Sequence, residues 1–299
     1  MRALTTSLDS RSLGALFESA AARLRAAGIE GARRDARLLL AEALGLEPQD
    51  LLLWPERAVG EEPARRAETM IDRRAAGEPV SRILGRREFW SLAFRIGPAV
   101  LDPRPDSETL VRAVLERVPD RAAPLEILDL GTGSGCLLLA LLHELPRARG
   151  LGTDISAAAL ETARDNAARL GLADRVLFEA RDWAAGLTGS WQVIVSNPPY
   201  IREADLAGLA LEVARYEPGI ALAGGRDGLE AYRRLLPQAA DRLAPGGLLA
   251  VEIGAGQAEA VEELFRGAGL RPLGRARDLG GFERCLLACG KIAQPPGRK

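Results

Sequence analysis

The sequence predicts an α/β fold in which a mostly parallel sheet follows a small helical bundle. Residues from about 10 to 76 repeat apolar side chains with the helical period of about 3.6, whereas from about residue 105 apolar strands alternate with helices. Such alternation places helices on both faces of a parallel sheet. With 299 residues, 47% of them hydrophobic, the chain is long enough to bury both parts.

The first helices are predicted from apolar residues that share one face. These are Leu13, Leu16, Ala20 and Leu24 in one helix and Leu38, Leu39, Ala41 and Leu44 in the next. Apolar and polar residues alternate over 87–101, which predicts a short hairpin. The predicted domains are a helical domain at 1–84, a β-hairpin connector at 85–104, a sheet domain at 105–290 and a flexible tail at 291–299.

The sheet domain is predicted to hold seven strands. Apolar runs mark five of them, at 125–130, 151–154, 176–179, 193–196 and 247–253, and two more close the domain. Helices are predicted at 136–145, 157–170, 229–243 and 257–267. Ligands of such sheets bind beyond the carboxyl ends of the strands. The turns after these strands are therefore where we expect the functional residues.

Composition excludes several classes of protein. Forty Lys and Arg against forty-one Asp and Glu argue against a broad basic face for duplex DNA. Three cysteines without C-x-x-C spacing and one histidine, His143, predict neither a zinc site nor a disulfide framework, and no metal is expected. His143 lies in an apolar helix, where we expect it to pack. No apolar run reaches the roughly 18 residues of a membrane span, so we expect a cytoplasmic protein.

A glycine-rich turn, D-L-G-T-G-S-G from Asp129, closes the first strand. Its glycines let the backbone fold tightly while a ligand approaches it closely. The dinucleotide pattern G-x-G-x-x-G/A is not met, because its third small position falls on Cys136. The turn instead resembles the first motif of methyltransferases that use S-adenosylmethionine (SAM), with a glycine turn of an unrelated α/β protein as the alternative. The resemblance implies SAM contacts from Gly131, Thr132, Gly133, Ser134 and Gly135.

Acidic residues follow the second and third strands. Asp154 stands where a carboxylate can accept hydrogen bonds from both hydroxyls of a ribose, and capping of the helix that starts near Ser156 is a compatible alternative. Asp182 and Trp183 stand where an acid and an aromatic ring can bind the amino group and the face of adenine. Packing of Trp183 in the core is the alternative. All three are predicted cofactor-binding residues.

Asn197-Pro198-Pro199-Tyr200 directly follows the fourth strand and predicts the acceptor chemistry. An amide or aryl amine nitrogen is a poor nucleophile, because its lone pair is delocalised. The side-chain oxygen of Asn197 and the carbonyl of Pro198 can accept both N–H bonds of an NH2 group, and Tyr200 can stack on a planar group. We predict Asn197, Pro198 and Tyr200 as catalytic, the whole tetrapeptide as substrate-binding, and Asn197 also as a SAM contact.

These motifs resemble the family of glutamine N5-methyltransferases of peptide-chain release factors, called HemK or PrmC. The resemblance also rests on the segment 103–109, on Glu217-Pro218, on 225–229, on Glu252-Ile253-Gly254 and on Glu283-Arg284. It implies a class I SAM-dependent methyltransferase with a Rossmann-like sheet, S-adenosylhomocysteine as product, and the glutamine of a Gly-Gly-Gln loop as acceptor. It further implies that the helical domain docks the release factor. Ser107 stands where Thr is common in the family, which keeps the hydroxyl.

Other functions are kept as alternatives. The same activity on a glutamine of a ribosomal protein shares every motif named above. An N6-adenine DNA methyltransferase is disfavoured by the near-neutral helical segment, and a non-catalytic SAM-binding regulator by the intact acceptor motif. We expect release factors as partners, no nucleic-acid or membrane partner, and a monomer.

Some charged residues have two interpretations. Arg104, Asp106 and Glu108 precede a predicted helix, where they either cap it and form a local ion pair or close the active site. Glu252, Glu283 and Arg284 are either architectural or catalytic. The sequence does not reveal whether the segment 202–225 moves as a lid.

Overall fold

The computed structural model describes residues 12–290, so the predicted tail at 291–299 lies outside the described residues. The chain divides into two compact units. The first comprises Met1–Gly85 and Leu211–Tyr216, and the second comprises Arg86–Ala210 and Glu217–Lys299. A short helix from the second half of the chain thus belongs to the first unit, which the sequence did not predict.

The first unit is the predicted N-terminal helical domain, and this part of the fold is confirmed. All four residues predicted to share a face of the first helix are buried. A hydroxyl cap from Ser12 starts that helix, and glycines with positive φ follow the second and fifth. The helices are α1 (Leu13–Ala26), α2 (Ala32–Leu44), α3 (Asp50–Leu53), α4 (Glu61–Ala75), α5 (Val80–Leu84) and α10 (Leu211–Tyr216).

A buried cation fixes α10 within the first unit. The guanidinium of Arg74 on α4 pairs with Asp35 on α2 at 2.8 Å and with Glu212 on α10 at 2.6 Å. Arg74 and Asp35 are both buried. Removing one partner of a buried ion pair costs about 3–5 kcal/mol. Helix α10 is therefore held in the first unit by a charge on α4, which lies far from it in the chain.

The second unit begins with the predicted hairpin, formed by β1 (Arg86–Phe89) and β2 (Leu92–Arg95). The helices that follow are α6 (Glu108–Leu115), α7 (Cys136–Glu144), α8 (Ala157–Arg169), α9 (Glu203–Leu206), α11 (Glu230–Arg242) and α12 (Ala258–Gly267). The remaining strands are β3 (Glu126–Leu130), β4 (Arg149–Asp154), β5 (Val176–Ala180), β6 (Trp191–Ser196), β7 (Leu243–Glu252), β8 (Arg271–Arg277) and β9 (Glu283–Cys289). Each predicted strand and helix is present, with bounds that differ by a few residues.

These seven strands form one sheet in the order β5-β4-β3-β6-β7-β9-β8. Neighbours from β5 to β7 run parallel, and β9 is antiparallel to β7 and β8. Side chains alternate between two cores: Ile127 packs with α6, α7 and α8, whereas Leu128 packs with α11 and α12. The predicted seven-stranded, mostly parallel sheet with helices on both faces is therefore confirmed.

The sheet order changes direction between β3 and β6. The chain moves outward from β3 to β4 and β5, then returns to place β6 on the other side of β3. Loops that leave neighbouring strands in opposite directions open a crevice at the carboxyl ends of those strands. The glycine turn after β3 and the Asn-Pro-Pro-Tyr motif after β6 both begin at this crevice.

One packing prediction was wrong. His143 in the last turn of α7 is exposed, although the helix is apolar. The buried residues of α7 run from Leu137 to Leu142, and the helix turns its end toward solvent. Among residues 12–290, no helix is both long and apolar enough to cross a membrane.

Candidate active site

A cavity of about 290 Å³ lies at the carboxyl ends of β3, β4, β5 and β6, within the second unit. It lies at the change of strand direction, where ligands of such sheets bind. Its lining includes nine of the predicted site residues: Gly131, Thr132, Gly133, Ser134, Asp154, Asp182, Trp183, Asn197 and Pro199. Three others, Gly135, Pro198 and Tyr200, do not line it.

The glycine turn is held by the neighbouring strand. The N–H groups of Gly131 and Thr132 both donate to the carbonyl of Thr153 on β4, at 2.8 Å each. Gly131 and Gly133 have φ values of 74° and 55°, which L side chains rarely adopt. A Cβ on Gly131 would lie 3.1 Å from the Trp183 ring, whereas one on Gly133 would meet nothing within 4 Å. Gly131 is therefore needed for packing, and Gly133 leaves space on the ligand side.

Gly135 has a structural position rather than a cavity position. It precedes α7 with a φ of 81°, and a Cβ there would lie 3.3 Å from Ala163 on α8. Its role is the close packing of α7 on α8. The expected contact between Gly135 and SAM has no support in the cavity lining.

Asp129 supports the turn from below. Its Oδ2 accepts a hydrogen bond of 2.6 Å from the Thr132 hydroxyl, and Oδ1 has no partner among the described residues. Burial raises the pKa of Asp129 to about 7, although the Thr132 hydroxyl opposes the rise. We did not predict Asp129 as a site residue. The signal that could have found it is its place as the first residue of the turn.

Asp154 braces two loops. Its Oδ2 accepts from the N–H of Gly133 and its Oδ1 from the N–H of Ser156, each at 2.9 Å. The cap of α8 is Ser156, whose hydroxyl accepts from Ala159 at 3.2 Å, so the capping role belongs to the serine. Each carboxylate oxygen keeps a second lone pair. Asp154 can therefore hold the glycine turn and accept ribose hydroxyls together.

Asp182 and Trp183 both line the cavity, but with other contacts as well. Asp182 pairs with Arg234 at 2.5 Å, and both side chains are half exposed. The Trp183 ring packs against the core beside α11 and under Gly131, so its packing role and its cavity role coexist. Its φ is 56°, and its buried Nε1 has no partner among the described residues.

Ile155 also lines the cavity, and the sequence analysis missed it. It is 61% exposed, which is unusual for an isoleucine next to a strand. Together with Trp183 it provides apolar faces, while Asp154 provides acceptors. A ligand that combines a flat base, a ribose and a cationic chain has these needs, and the cavity volume is at the low end of ligand sites, which run from about 300 to 1,000 Å³. The residues present therefore fit SAM.

Asn197 reaches the same cavity from β6. It is half buried, and its Nδ2 donates to the Ser107 hydroxyl at 3.3 Å. No donor among residues 12–290 bonds to Oδ1. The carboxamide oxygen therefore has no hydrogen bond within the described residues, and it can accept an N–H of a substrate NH2 group. Ser107 itself lines the cavity and was not predicted as a site residue.

Tyr200 faces a different space. Its side chain lines a second cavity, of about 400 Å³, together with Ile201, Leu229 and Gly254. The hydroxyl donates to Oε1 of Glu252 at 3.5 Å, and burial raises the pKa of Tyr200 well above its ordinary value. Pro198 is buried and lines neither cavity. Tyr200 is thus absent from the lining of the first cavity, and its stacking on a substrate stays a prediction.

The main chain of Tyr200 is clamped by Gln257. The Gln257 amide donates to the carbonyls of Tyr200 at 3.1 Å and of Gly228 at 3.2 Å, and its Oε1 accepts from the N–H of Gly254 at 2.9 Å. A Cβ on Gly228 would lie 2.5 Å from the Tyr200 carbonyl oxygen. Gln257, Gly228 and Gly254 were not predicted as site residues, because nothing in the local sequence shows what they contact.

The charged segment before α6 does not form a local ion pair. Arg104 pairs with Glu217 at 2.8 Å, and Asp106 pairs with Arg284 at 3.1 Å. α6 has no side-chain cap hydrogen bond. The local interpretation of this segment is therefore wrong, because its charges bind segments that follow more than 100 residues later.

Glu108 has a backbone partner in the hairpin. Its Oε1 accepts from the N–H of Trp90, at 2.8 Å, in the turn between β1 and β2. Glu283 pairs with Arg275 and Arg277, each at 3.1 Å, along the β8–β9 edge. These contacts are architectural. Among the residues that the structure describes, no group of three His, Cys, Asp or Glu side chains is arranged to hold a metal ion.

The segment 202–225 carries α9, α10 and a 3-10 turn at Gly219–Ala221. Pro218, Ile220 and Ala223 from this segment line the first cavity. Glu217 anchors it there, because its carboxylate accepts from Arg104 and from the N–H of Asp102 at 3.1 Å.

Comparison with protein families agrees with this architecture. The family model described as PrmC N-terminal domain matches residues 15–85, and the one described as Methyltransferase small domain matches residues 105–213. The second match covers the glycine turn, Asp154, Asp182 and the Asn-Pro-Pro-Tyr motif.

Two curated relatives are similar over almost the whole chain. The release factor glutamine methyltransferase of Rhodospirillum rubrum is 52% identical over 286 residues, which is 95% of this chain and 86% of that one. The protein of the same name from Bradyrhizobium diazoefficiens is 52% identical over 273 residues, 90% of this chain and 91% of that one. These matches confirm the resemblance that the motifs indicated, and with it the prediction of a SAM-dependent protein-glutamine methyltransferase.

A solved structure supports the fold alone. The hMettl16 catalytic domain superposes with a TM-score of 0.54 at 16% sequence identity, and covers 80% of this chain and 87% of that one. The class I methyltransferase fold is thereby confirmed, and methylation that depends on SAM follows from the fold and the domain match. None of the comparisons tests the individual site residues.

Proposed function

We propose a reaction for this chain, which belongs to the family of release factor glutamine methyltransferases: it transfers a methyl group from SAM to the side-chain nitrogen, N5, of the glutamine in the Gly-Gly-Gln loop of peptide-chain release factors. One observation carries the proposal. Asn197 lines the same cavity as the glycine turn, its Nδ2 is bound to Ser107, and its Oδ1 accepts no hydrogen bond from the described residues.

SAM would be held by Gly131, Gly133, Asp154 and Trp183, and it supplies an electrophilic methyl group on a sulfonium when bound. The chain's own residues make the amide nitrogen reactive. Asn197 Oδ1 accepts one N–H bond of the glutamine NH2, which favours a pyramidal nitrogen with a localised lone pair. The Pro198 carbonyl was predicted to accept the other N–H, but Pro198 lines neither cavity, so this second contact stays a prediction. Proximity of the two reacting atoms contributes up to about 7–11 kcal/mol of the barrier reduction. Once the methyl group has moved to the nitrogen and S-adenosylhomocysteine has left, the nitrogen releases one proton to water. An amide protonated on nitrogen is strongly acidic, so a strongly basic side chain is not required.

The direct test maps the product. The protein is incubated with labelled SAM and, separately, with a release factor, ribosomal proteins and a DNA duplex, and the added mass of about 14 Da is located by tandem mass spectrometry. We expect modification at the Gly-Gly-Gln glutamine side chain. Modification of a ribosomal protein alone would show that this protein, and not a release factor, is the substrate. Modification of adenine would overturn the proposal.

We also propose that the helical unit docks the release factor. A four-residue acceptor site carries too little surface to select one protein, since specific interfaces bury about 800 Å² on each partner. This unit exposes three adjacent apolar side chains, Leu52, Leu53 and Trp54, each more than half accessible. Contiguous exposed apolar side chains are typical of interaction surfaces.

The docking proposal is tested by comparing an intact release factor with a short Gly-Gly-Gln peptide. We expect Leu53→Ser with Trp54→Ser to lower kcat/KM for the intact protein while kcat/KM for the peptide stays unchanged. Leu279→Ser is the matched control, because Leu279 is equally apolar and 99% exposed in the turn between β8 and β9. An equal loss on both substrates, or no loss on the intact protein, would contradict docking through these residues.

A further inference from the structure

We propose that Ser107 and Glu252 are positioning residues that fix the direction of the Asn197 carboxamide, so that its oxygen rather than its nitrogen faces the acceptor group. The inference rests on the proposed function, since it concerns how the same site holds a substrate NH2. Neither residue touches the reacting atoms. Both act through Asn197.

An asparagine carboxamide needs such a device. Its oxygen accepts and its nitrogen donates, yet the two ends have nearly the same size, so rotation by half a turn costs little in packing. With the nitrogen end toward the cavity, two NH2 groups would meet donor to donor. The acceptor site works only if one orientation is selected before the substrate arrives.

Ser107 can select the orientation, provided that its own proton is directed elsewhere. The residue is 3% exposed, and its oxygen lies 3.3 Å from Nδ2 of Asn197. A hydroxyl has one proton and two lone pairs. When the proton points away from Asn197, the serine offers Asn197 an acceptor only, and only Nδ2 can bond to it.

Glu252 gives the serine proton a destination. This carboxylate ends β7, is 2% exposed, and has one oxygen, Oε2, without a hydrogen-bond partner among the described residues. An ionised carboxylate accepts and never donates. The Tyr200 hydroxyl bonds to its Oε1 at 3.5 Å, and the Ser107 hydroxyl lowers its pKa, so the unpartnered Oε2 is the acceptor that we assign to the serine proton. The resulting order is Asn197 donating to Ser107, and Ser107 donating to Glu252.

The direction of this hydrogen-bond chain depends on the charge of Glu252. Burial raises its pKa to about 7, while the Ser107 hydroxyl lowers it. Arg284 favours the ionised form and Asp106 opposes it. Protonated Glu252 can donate to Ser107, which frees the serine proton to bond to the oxygen of Asn197. The titratable and charged groups that face Glu252 from the surrounding elements are Asp106, Cys136, Tyr200, Tyr232, Arg284 and Cys285.

The test uses an isosteric pair at position 107. Ser107→Thr keeps the hydroxyl, and Ser107→Val has the shape of threonine without it. With release factor and SAM both saturating, we expect Ser107→Val to lower kcat by about 10- to 100-fold, as loss of one preorganised polar contact does. We expect Ser107→Thr to restore most of kcat. The Kd for SAM, measured by calorimetry, should be unchanged in both.

The second part of the test uses the variant Glu252→Gln. Glutamine has a donor and an acceptor end, so it no longer forces the serine proton in one direction. We expect the wild type to lose kcat on the acidic side of about pH 7, and Glu252→Gln to lower kcat and abolish that dependence. The double variant Ser107→Val with Glu252→Gln should be no slower than the slower single variant, since both break one chain.

Control variants remove the same groups elsewhere in the second unit. Thr162→Ala deletes a hydroxyl that bonds only to the Ala158 carbonyl, and Glu263→Gln neutralises an exposed carboxylate on α12. A Ser107→Val variant with wild-type kcat, or an acidic limb that survives in Glu252→Gln, overturns the inference and leaves the proposed function intact. A wild type that methylates no release factor overturns the proposed function instead, and the same variants are then compared on the acceptor that the labelling identifies.

Discussion

The cofactor half and the acceptor half of the candidate site are built differently. In the cofactor half, Gly131, Gly133 and Asp154 lie close together in the chain, and main-chain N–H groups hold them. In the acceptor half, Asn197 is held by Ser107, which stands 90 positions away, and Tyr200 by Gln257, which stands 57 positions away. The cofactor half thus takes its support from β4, the strand that follows its motif in the chain. The acceptor half depends on residues that its motif does not show.

The comparison predicts that the two halves fail separately, and Asn197→Ala gives the largest effect. We expect kcat to fall by at least about 100-fold, because an acceptor that points at the amide nitrogen is lost. The Kd for SAM should stay within a few-fold of the wild type, since the glycine turn is untouched. Single-turnover kinetics and calorimetry measure the two quantities. Near-normal turnover would show that Asn197 does not hold the acceptor.

Asp154→Ala tests the other half. We expect it to weaken SAM binding by about 10-fold or more, because it removes the ribose acceptors and releases the bonds to Gly133 and Ser156. Asp154→Asn should lose less, since one acceptor oxygen is kept. Asp182→Asn is the matched control: we expect a smaller loss, because Asp182 is half exposed and already pairs with Arg234. Unchanged SAM affinity in Asp154→Ala would show that this carboxylate only holds the loops of Gly133 and Ser156 and does not bind SAM.

The same difference explains what could be predicted from sequence. The strands of the sheet can be predicted because burial on both faces makes them apolar runs, and the glycine turn can be predicted because its glycines lie within a few residues of one another. Ser107 was noted only as a variant of a family motif. Gln257 carries no signal, because a glutamine at a helix start looks the same whether or not it holds a distant carbonyl. Such supports are set by tertiary packing, and a single sequence does not reveal them.

Helix α10 was missed for a related reason. Its sequence lies between two motifs of the second unit, and the sequence analysis predicted no helix there. The buried Arg74 on α4 is what places it in the first unit, through Glu212. A buried arginine leaves no trace in hydrophobic periodicity, since charged residues are expected to face solvent. His143 shows the opposite error, because a polar residue in an apolar helix was assigned to the core and is exposed.

Gln257→Leu sharpens the comparison on the acceptor side. Leucine fills similar space but cannot bond to the carbonyls of Tyr200 and Gly228. We expect kcat to fall by about 10-fold, because small displacements of a reacting group are costly, while SAM affinity stays the same. Gln238→Leu, on the cofactor side of α11, is the counterpart, because the Gln238 side chain accepts from the N–H of Ala184 beside Trp183. The reverse pattern, with Gln257→Leu weakening SAM and leaving kcat unchanged, would contradict the division.

The smallest effect concerns the buried carboxyls, of which each half has one. Asp129 lies under the glycine turn and Glu252 behind Asn197, and burial raises the pKa of both to about 7. A carboxyl whose folded pKa is raised contributes stability that is complete below its unfolded pKa, ordinarily 3.8 for Asp129, and is lost as the pH rises through about 7.

Asp129→Asn should therefore change the pH dependence of stability and not that of catalysis. Relative to wild type, we expect its free energy of urea unfolding to rise by about 2 kcal/mol between pH 5 and pH 8, because the wild type loses stability there and the amide does not titrate. The loss of kcat on the acidic side of about pH 7 should persist, since Glu252 is unchanged. If Asp129→Asn abolished that loss while Glu252→Gln kept it, the titrating group that governs transfer would lie in the cofactor half, and the division between the two halves would fail.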